Sequence, residues 1–246
     1  MNRTNIVCGF HAVDSALDDQ NNLIGELLHD GDRVDKRINQ ILMKARKNGL
    51  KIRRSNKGEL DSISDYSRHQ GILAILTTSL IYNIGDLKKD LKAVTSNTLF
   101  LCIDGVEDPR NIGSCIRTAA AAGVNGIILS KSNGSRITPT VIRVASGGFN
   151  VSKVYEVTNL SSALKICSAA GLWVIGAAEE ASVQLSDFDL KRPIIAVVGS
   201  EEKGLRSLTV KSCDQCISIP TNKKIRSLNV AVATGIFLFE IRRQQS

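Results

Sequence analysis

Two short apolar runs near the end of the chain constrain the fold most strongly. Residues 194–198 (IIAVV) are rich in β-branched side chains and stop at Gly199, and residues 216–219 (CISI) stop at Pro220. Such runs bounded by glycine or proline are typical of strands that are covered on both faces, as in a parallel sheet. Because ligands bind beyond the carboxyl ends of the strands in such sheets, the polar loops that follow the two runs are the first candidate site.

The preceding hundred or so residues alternate between strand and helix patterns. Residues 99–103 form a predicted strand, and its exit loop leads to Asn111, the predicted N-cap of a helix over 112–122. On that helix Ile112, Ile116, Ala119 and Ala120 share an apolar face, and Gly113, Ser114 and Arg117 fall on the opposite face. The other predicted elements are strands over 126–129, 153–157 and 172–176 and a long last helix over 228–243. We therefore predict an α/β domain with a parallel sheet over residues 97–246.

Residues 1–78 are predicted to form a separate small α/β domain, joined to the second domain by a linker over 79–96. The pattern indicates a helix that ends near Leu17, a helix over 34–48, and strands over 50–52 and 71–76. Between Asp35 and Glu59 there are nine lysines or arginines and no acidic residue. Such a charge run is either a solvated helix face or a surface that contacts phosphates, and it includes Arg53 and Arg54.

Composition narrows the class of protein. The chain has 246 residues, of which 43% are hydrophobic, so it can bury a sizeable core. Its formal net charge of +8 favours an anionic partner such as nucleic acid over a basic protein with no particular partner. Its apolar runs are far shorter than the ~20 residues of a membrane span, and its start lacks the apolar core of a signal peptide. We expect no membrane association and a cytoplasmic location. Cys213 and Cys216 form a C-x-x-C without a second ligand pair, so we expect core packing and no metal.

The usual catalytic motifs do not occur in this sequence. There is no dinucleotide-binding or P-loop glycine motif, and the three histidines all lie in the first third of the chain, which disfavours a Ser-His-Asp or Cys-His site. The strand-end loops offer backbone donors, one acid and several hydroxyls and amides, which suits positioning for a direct group transfer. Arg117 lies near the positive end of its helix dipole, which indicates a nearby anion or developing charge, or else a salt bridge to Asp104 or Asp108.

Three groups of residues occur in a fixed order: 108–113 (DPRNIG) with 117–119 (RTA), 198–201 (VGSE) with Gly204, and 219–220 (IP) with 227–229 (SLN) and 233–235 (ATG). Together they resemble the motifs of the SpoU/TrmH family, S-adenosylmethionine-dependent RNA ribose 2′-O-methyltransferases of the SPOUT class. Residues 9–13 (GFHAV) and 69–72 (HQGI) resemble the L30e-like substrate-binding domain of the bacterial branch that methylates a guanosine of 23S ribosomal RNA.

This resemblance implies a trefoil knot in the second domain, a homodimer, and S-adenosylmethionine bound against the motif loops. The residues that it assigns to the cofactor are Gly176, Ala177, Gly199, Gly204, Ile219, Pro220 and Leu228. Together with the charge pattern it assigns RNA contacts to His11, Arg53, Arg54, Arg110, Lys223 and Arg226. The sequence departs from the family pattern in the stretch 221–226 (TNKKIR), and at Gly148 and Asn150, where alanine and glutamate are usual.

The resemblance also implies catalytic roles. Arg117 would stabilise the alkoxide that forms on the ribose, and Asn111 and Asn229 would orient ribose and cofactor. Ser227 would position Arg117 or a phosphate, and Glu201 would hold the motif loops or the arginine. The alternatives are a tRNA ribose methyltransferase, a non-catalytic RNA-binding or ribosome-assembly factor, and a methyltransferase that confers antibiotic resistance through the same RNA.

Overall fold

The computed structural model describes residues 6–18, 24–33, 35–64, 68–76, 81–131, 137–222 and 227–246. The chain divides into two compact units. Unit 1 contains residues 1–80 and 137–150, and unit 2 contains residues 81–136 and 151–246. Each unit has its own sheet, and the two are described separately below.

Unit 1 is built on a four-stranded sheet in the order β1-β4-β2-β3. The strands are β1 (Ile6–Cys8), β2 (Ile24–Asp30), β3 (Lys51–Ser55) and β4 (Ile72–Leu76). The helices are α1 (Phe10–Leu17), α2 (Lys36–Lys47) and α3 (Lys57–Ile63). Strand β4 runs antiparallel to β1 and β2, whereas β3 runs parallel to β2. The predicted helices and strands of this region are present, with Val34 outside the described residues, but the sequence analysis missed β1, β2 and α3.

Residues 137–150 lie within the second predicted domain (97–246) in sequence, yet they cluster with unit 1. Helix α6 (Pro139–Ala145) packs on β1 and α1, with Val141, Ile142 and Ala145 buried. The Asn150 amide nitrogen donates to the Ser15 carbonyl oxygen at 3.2 Å, which attaches the end of the segment to α1.

Unit 2 is built on an eight-stranded sheet in the order β10-β12-β9-β11-β6-β7-β8-β5, and all neighbouring strands are parallel. The strands are β5 (Ile81–Tyr82), β6 (Leu99–Ile103), β7 (Gly126–Ser130), β8 (Lys153–Val157), β9 (Trp173–Ala177), β10 (Val183–Gln184), β11 (Ile194–Val198) and β12 (Gln215–Ser218). The helices are α4 (Ile84–Asp90), α5 (Pro109–Ala121), α8 (Leu160–Ala169), α9 (Ser207–Val210) and α10 (Val230–Gln245), with α7 (Gly148–Val151) at the boundary between the units. The predicted parallel α/β fold is confirmed; the trefoil knot stays a prediction.

The order of the strands explains where a site can form. The chain adds β7 and β8 on one side of β6, then crosses to β9, and β11 later inserts between β9 and β6. All five residues of β6 and of β11 are buried, as continuous apolar runs in a parallel sheet predict. The point where the strand order reverses is where open α/β sheets bind ligands.

Residues 81–93, within the segment predicted as a linker, form β5, α4 and a 3-10 turn and belong to unit 2. The Tyr155 hydroxyl donates to the Asp90 carboxylate at 2.6 Å, and Lys153 pairs with the same carboxylate at 2.8 Å. Burial would raise the pKa of Asp90, but the bonds from Lys153 and Tyr155 outweigh it, so the pKa of Asp90 is lowered. The end of α4 is thus attached to β8.

Two local predictions for α5 were wrong. The N-cap is Asp108, whose carboxylate accepts from the Arg110 amide at 2.8 Å, and Asn111 already lies in the first turn. Proline at the next position, Pro109, favours this earlier start because its ring presets helical φ and it has no N–H to leave unpaired. Gly113, predicted on the polar face, is buried. Among the described helices none is long and apolar enough to span a membrane.

Candidate active site

A cavity of about 470 Å³ opens at the carboxyl edge of the unit 2 sheet. Its walls are the loops that leave β9, β11 and β12 and the first turn of α10. Its volume lies within the range of small-molecule sites. The loops after residues 194–198 and 216–219 therefore meet at one cavity.

The loop after β11 is closed on itself by backbone pairing. The Ser200 amide donates to the Gly204 carbonyl oxygen at 3.2 Å, and the Gly204 amide donates to the Ser200 carbonyl oxygen at 2.9 Å. A Cβ on Gly199 would lie 2.2 Å from the Gly204 carbonyl carbon, so only glycine fits there. Gly204 itself has φ of +61°, in the left-handed region. Both glycines thus shape the cavity wall.

The three sequence motifs converge on one carboxylate oxygen. Oε1 of Glu201 accepts from the Asn229 side-chain amide at 2.6 Å, the Asn111 side-chain amide at 3.0 Å and the Val230 backbone amide at 3.0 Å. The Asn229 amide also donates to the Asn111 amide oxygen at 3.1 Å. Glu201 therefore places a negative charge at the N-terminus of the 16-residue helix α10, where the dipole favours it.

Asn229 is also the N-cap of α10. Its side-chain oxygen accepts from the backbone amides of Ala231 and Val232 at 3.0 and 3.4 Å. The side chain thus uses its oxygen for the helix and its nitrogen for Glu201 and Asn111, which fixes its orientation. Through this cap the first turn of α10 is held against the β11 loop.

Five of the seven predicted cofactor residues line the cavity. Those that line the cavity are Ala177, Gly199, Gly204, Ile219 and Leu228. Gly176 and Pro220 do not line it. A Cβ on Gly176 would lie 2.7 Å from Leu205 Cδ1 and 2.9 Å from Cys213 Sγ, so this glycine serves the packing behind the cavity wall. Burial raises the pKa of the Cys213 thiol to about 12, in keeping with a packing role for the C-x-x-C.

The catalytic candidates fall into two groups. Asn111, Glu201 and Asn229 form the cluster described above, and Ser227 is an exposed hydroxyl that lines the cavity. Arg117 is exposed, lines neither described cavity, and makes no hydrogen bond or ion pair with the part of the chain that the structure describes. It lies six residues beyond Asn111, about 9 Å further along the helix axis. A single chain therefore does not bring Arg117 into the cavity.

The salt bridges considered for Arg117 are wrong. Asp104 is buried and accepts from the Arg206 backbone amide at 3.0 Å, with the Arg206 guanidinium 3.8 Å away. Asp108 is occupied as the N-cap of α5. Neither carboxylate holds Arg117.

The predicted RNA contacts are scattered over both units. Lys223 and Arg226 lie outside the described residues. Arg110 in unit 2 and His11 in unit 1 are exposed. The structure pairs Arg53 with Glu59 at 2.6 Å and Arg54 with Asp32 at 3.1 Å. The hydrogen bond that Arg53 donates to Glu59 raises the pKa of Arg53, as expected for an ion pair.

Sequence reasoning missed several residues of the cavity wall. Leu205 and Val210 add apolar surface, and Glu202 and Lys203 add charge, from the β11 loop and α9. The sequence signal for them was weak, because α9 is a single turn after a loop. A second cavity of about 180 Å³ shares residues 200–203 and is bounded on its other side by Glu107, Asp108 and Asn111.

The larger cavity suits a ligand that is cationic at one end and apolar at the other. Four of its lining residues are acids, Glu179, Glu180, Glu201 and Glu202, against one lysine. Leucine, isoleucine and valine side chains provide apolar surface, and small residues line the remainder of the wall. The methionine portion of S-adenosylmethionine carries a sulfonium, an ammonium and a carboxylate group with a net positive charge, and the adenine is largely apolar, so these residues fit it. In the described part of the chain no cluster of three or more His, Cys, Asp or Glu could hold a metal ion.

Comparison with known proteins gives consistent matches over the whole chain. Residues 98–239 match the model of the SpoU rRNA Methylase family, and residues 6–80 match the RNA 2′-O ribose methyltransferase substrate-binding model. A Shewanella oneidensis protein named 23S rRNA (guanosine-2′-O-)-methyltransferase RlmB is 39% identical over 245 residues, covering 100% of this chain and 99% of that protein. A Ralstonia nicotianae protein of the same name is 38% identical over 247 residues, covering 100% and 98%.

A solved structure supports the same match. The AdoMet-bound rRNA methyltransferase of Sinorhizobium meliloti superposes with a TM-score of 0.77 at 26% identity, covering 99% of this chain and 88% of that one.

Proposed function

Because this chain belongs to the SpoU rRNA methylase family, we propose that it transfers the methyl group of S-adenosylmethionine to the ribose 2′-hydroxyl of a guanosine in 23S ribosomal RNA. The observation that carries the proposal is the convergence of Asn111, Asn229 and Glu201 beside a cavity that fits the cofactor. Acting on ribosomal RNA, the enzyme would work in the cytoplasm.

Different residues of the cavity would contact different parts of the cofactor. Leu205, Ile219 and Leu228 offer apolar surface for the adenine, and Gly199 allows the backbone to approach closely. Glu179 and Glu180, at the exit of β9, lie where carboxylates would favour the cationic end. S-adenosylmethionine, when bound, supplies a methyl group on a sulfonium, which needs only in-line attack.

The task of this chain is then to position and activate the ribose hydroxyl. Asn111 and Asn229 are held by Glu201, so their amides are ordered before RNA arrives. Ser227 adds a hydroxyl at the cavity wall that suits a phosphate or sugar oxygen. The guanidinium of Arg117 would stabilise the oxyanion that forms on the ribose while the hydroxyl proton passes to solvent.

A second copy of the chain would bring Arg117 to the cavity. One face of α10 is apolar and exposed: Val232 is 52% exposed, Ile236 42% and Phe239 53%. Residues four and three apart lie on one face of a helix, so these side chains form a continuous stripe. Helix α5, which carries Arg117, packs on α10 beside this stripe: a Cβ on Gly235 would lie 3.5 Å from Thr118 Cγ2. A homodimer that buries the stripe would place α5 of each copy next to the interface.

The proposal is tested by methyl transfer from labelled S-adenosylmethionine to 23S rRNA transcripts and to tRNA. We expect transfer to one guanosine of 23S rRNA; transfer to tRNA alone would favour the tRNA enzyme. Calorimetry with S-adenosylmethionine distinguishes a non-catalytic RNA-binding factor, for which no binding is expected. We expect Arg117→Ala to lower the rate constant about 10²–10³-fold with little change in cofactor affinity.

Mixing two inactive variants tests the role of the second copy. Arg117→Ala keeps the cavity and Gly199→Val keeps the arginine. If Arg117 acts on the partner's cavity, refolding equal amounts together restores about a quarter of the wild-type activity, since half of the dimers then hold one complete site of two. If Arg117 acts within its own chain, no activity returns.

A further inference from the structure

We infer that unit 1 holds the phosphate backbone of the substrate RNA through Arg37 and Arg68, at one defined edge of its sheet. The inference rests on the proposed function, because it assigns a contact surface to the RNA that the enzyme methylates. The edge is the one where β1 and β2 end and β4 begins, since β4 runs antiparallel to both.

Two loops at this edge are locked together by hydrogen bonds. The Gly9 amide donates to the Ile72 carbonyl oxygen at 3.1 Å, and the Phe10 amide donates to the Gln70 side-chain oxygen at 3.0 Å. Gln70 has φ of +56°, a left-handed conformation that a non-glycine residue seldom adopts. Such backbone strain persists only where the surroundings hold it, and it occurs most often at ligand contacts.

His69 belongs to the framework of this edge. The ring is buried, its Nδ1 accepts from the Gly71 amide at 3.0 Å, and its Nε2 donates to the Asp61 carboxylate at 2.9 Å. Both ring nitrogens are therefore used within the protein, so His69 shapes the turn and leaves the RNA contact to its neighbours.

Two arginines contact the buried ring of Phe10 at the same edge. The guanidinium carbons of Arg33 and Arg37 lie 5.8 and 5.9 Å from the ring centroid. This cation–π contact orders the guanidinium of Arg37, which reduces the entropy lost when it binds a phosphate. Arg68 immediately precedes the turn, and its carbonyl oxygen lies 3.7 Å from the position of a Cβ on Gly9.

Two arginines of this edge form no salt bridge with the acids that the structure describes there. Asp35 accepts from Arg33 at 3.2 Å and also caps α2 through the Arg37 amide. Asp30 accepts from the Asp32 backbone amide at 3.1 Å. The Arg37 and Arg68 side chains are exposed and form no salt bridge or hydrogen bond with an acidic side chain among the residues that the structure describes. The pKa of Asp35 is lowered, chiefly by the hydrogen bond from the Arg37 amide and to a smaller extent by the positive charges of Arg33 and Arg37.

The basic residues on β3 differ in this respect. Arg53 contacts Glu59 and Glu26, and Arg54 contacts Asp32. A cation that already has a carboxylate partner gains less from a phosphate and releases fewer counterions from the RNA. The fold thus pairs the arginines of β3 with carboxylates at salt-bridge distance, whereas Arg37 and Arg68 form no such pair, and the RNA surface is assigned to these two.

The test compares two double variants that remove the same charge. Arg37→Ala/Arg68→Ala removes the proposed contacts, whereas Arg46→Ala/Lys47→Ala removes two exposed cations at the other end of α2. Binding of a 23S rRNA transcript is measured between 50 and 200 mM salt. We expect the first variant to lower the slope of log K against log salt by about 1.5, so that wild-type affinity falls about eightfold more over this range. The matched control should keep the wild-type slope.

A third variant, Arg37→Lys/Arg68→Lys, keeps the charge and should restore most of the slope, which a purely structural defect would not allow. Equal losses in the two alanine variants, or no loss in the first, would overturn the inference. The proposed function is judged separately on the wild-type chain: failure to bind S-adenosylmethionine or to methylate 23S rRNA refutes it. Methylation by the wild type with an unchanged slope in the first variant refutes the surface alone.

Discussion

Gly199→Ala is the sharpest test of how the cavity is built. The added Cβ would lie 2.2 Å from the Gly204 carbonyl carbon, 2.3 Å from the Gly204 carbonyl oxygen and 2.5 Å from the Leu205 nitrogen. All three are backbone atoms, so no side-chain rotation relieves the overlap. The loop has to move by about an ångström or open, at the ~1–3 kcal/mol typical of overpacking.

Opening the loop also endangers the two backbone hydrogen bonds between Ser200 and Gly204, each worth about 1 kcal/mol net. If cofactor binding has to offset about 2–3 kcal/mol of the free-energy cost of this loop distortion, the dissociation constant for S-adenosylmethionine rises about 30- to 150-fold. Calorimetry measures the constant, and thermal melting reports whether the sheet stays folded.

Gly204→Ala is the matched control in the same loop. A Cβ there meets nothing within 4 Å, but φ is +61°, so only the conformational cost of about 1–2 kcal/mol applies. Gly204→Asn should be milder still, because asparagine tolerates this region. If Gly199→Ala bound S-adenosylmethionine within twofold of the wild type, the reasoning about loop closure would be wrong.

Three further predictions concern unit 2. Glu201→Ala should lower methyl transfer about 10²-fold by releasing Asn111 and Asn229, whereas Glu201→Gln, which keeps an oxygen acceptor, should lose less; equal losses would point to the charge instead of the positioning. Asp90→Asn should destabilise the protein at neutral pH, because the pKa of Asp90 is lower in the folded chain than its ordinary value of 3.8. The stability that the ionised carboxylate contributes is fully present above pH 3.8 and is lost as the pH falls through the pKa of the folded state. The difference between variant and wild type in the free energy of urea unfolding should therefore shrink below about pH 4. Ile236→Glu should produce a monomer in sedimentation at micromolar concentration without unfolding, and Met43→Glu, at a still more exposed apolar site in unit 1, should leave the sedimentation unchanged.

Much of unit 2 could be predicted from local sequence. The runs 99–103 and 194–198 are apolar and β-branched with turn residues at their ends, and a buried parallel strand requires little more. The ordered motifs likewise indicated which loops meet, since parallel strands bring their carboxyl ends to one edge. Strand β2 was missed because its pattern of burial does not alternate strictly.

The start of α5 shows where local reasoning stops. Both Asp108 and Asn111 are good caps, and although Pro109 favours the earlier start, the local sequence does not show what the Asn111 side chain binds instead. In the fold Asn111 is drawn to Glu201, which lies 90 residues away in sequence, and that leaves Asp108 as the cap. A cap is chosen by the three-dimensional partners of the competing side chains.

The parallel α/β fold, the loops that form the site and the residues at its centre could be predicted without coordinates, because these features follow from local patterns and motifs along the chain. Which charged side chains form ion pairs could be read only from the folded chain. Arg53 and Arg54 pair with carboxylates from other elements, and Arg37 contacts an aromatic ring. Arg117 has no partner among the described residues of its own chain. The reason is physical: the energy of a charge depends on what lies within a few ångströms of it, and folding brings together residues that are far apart in sequence.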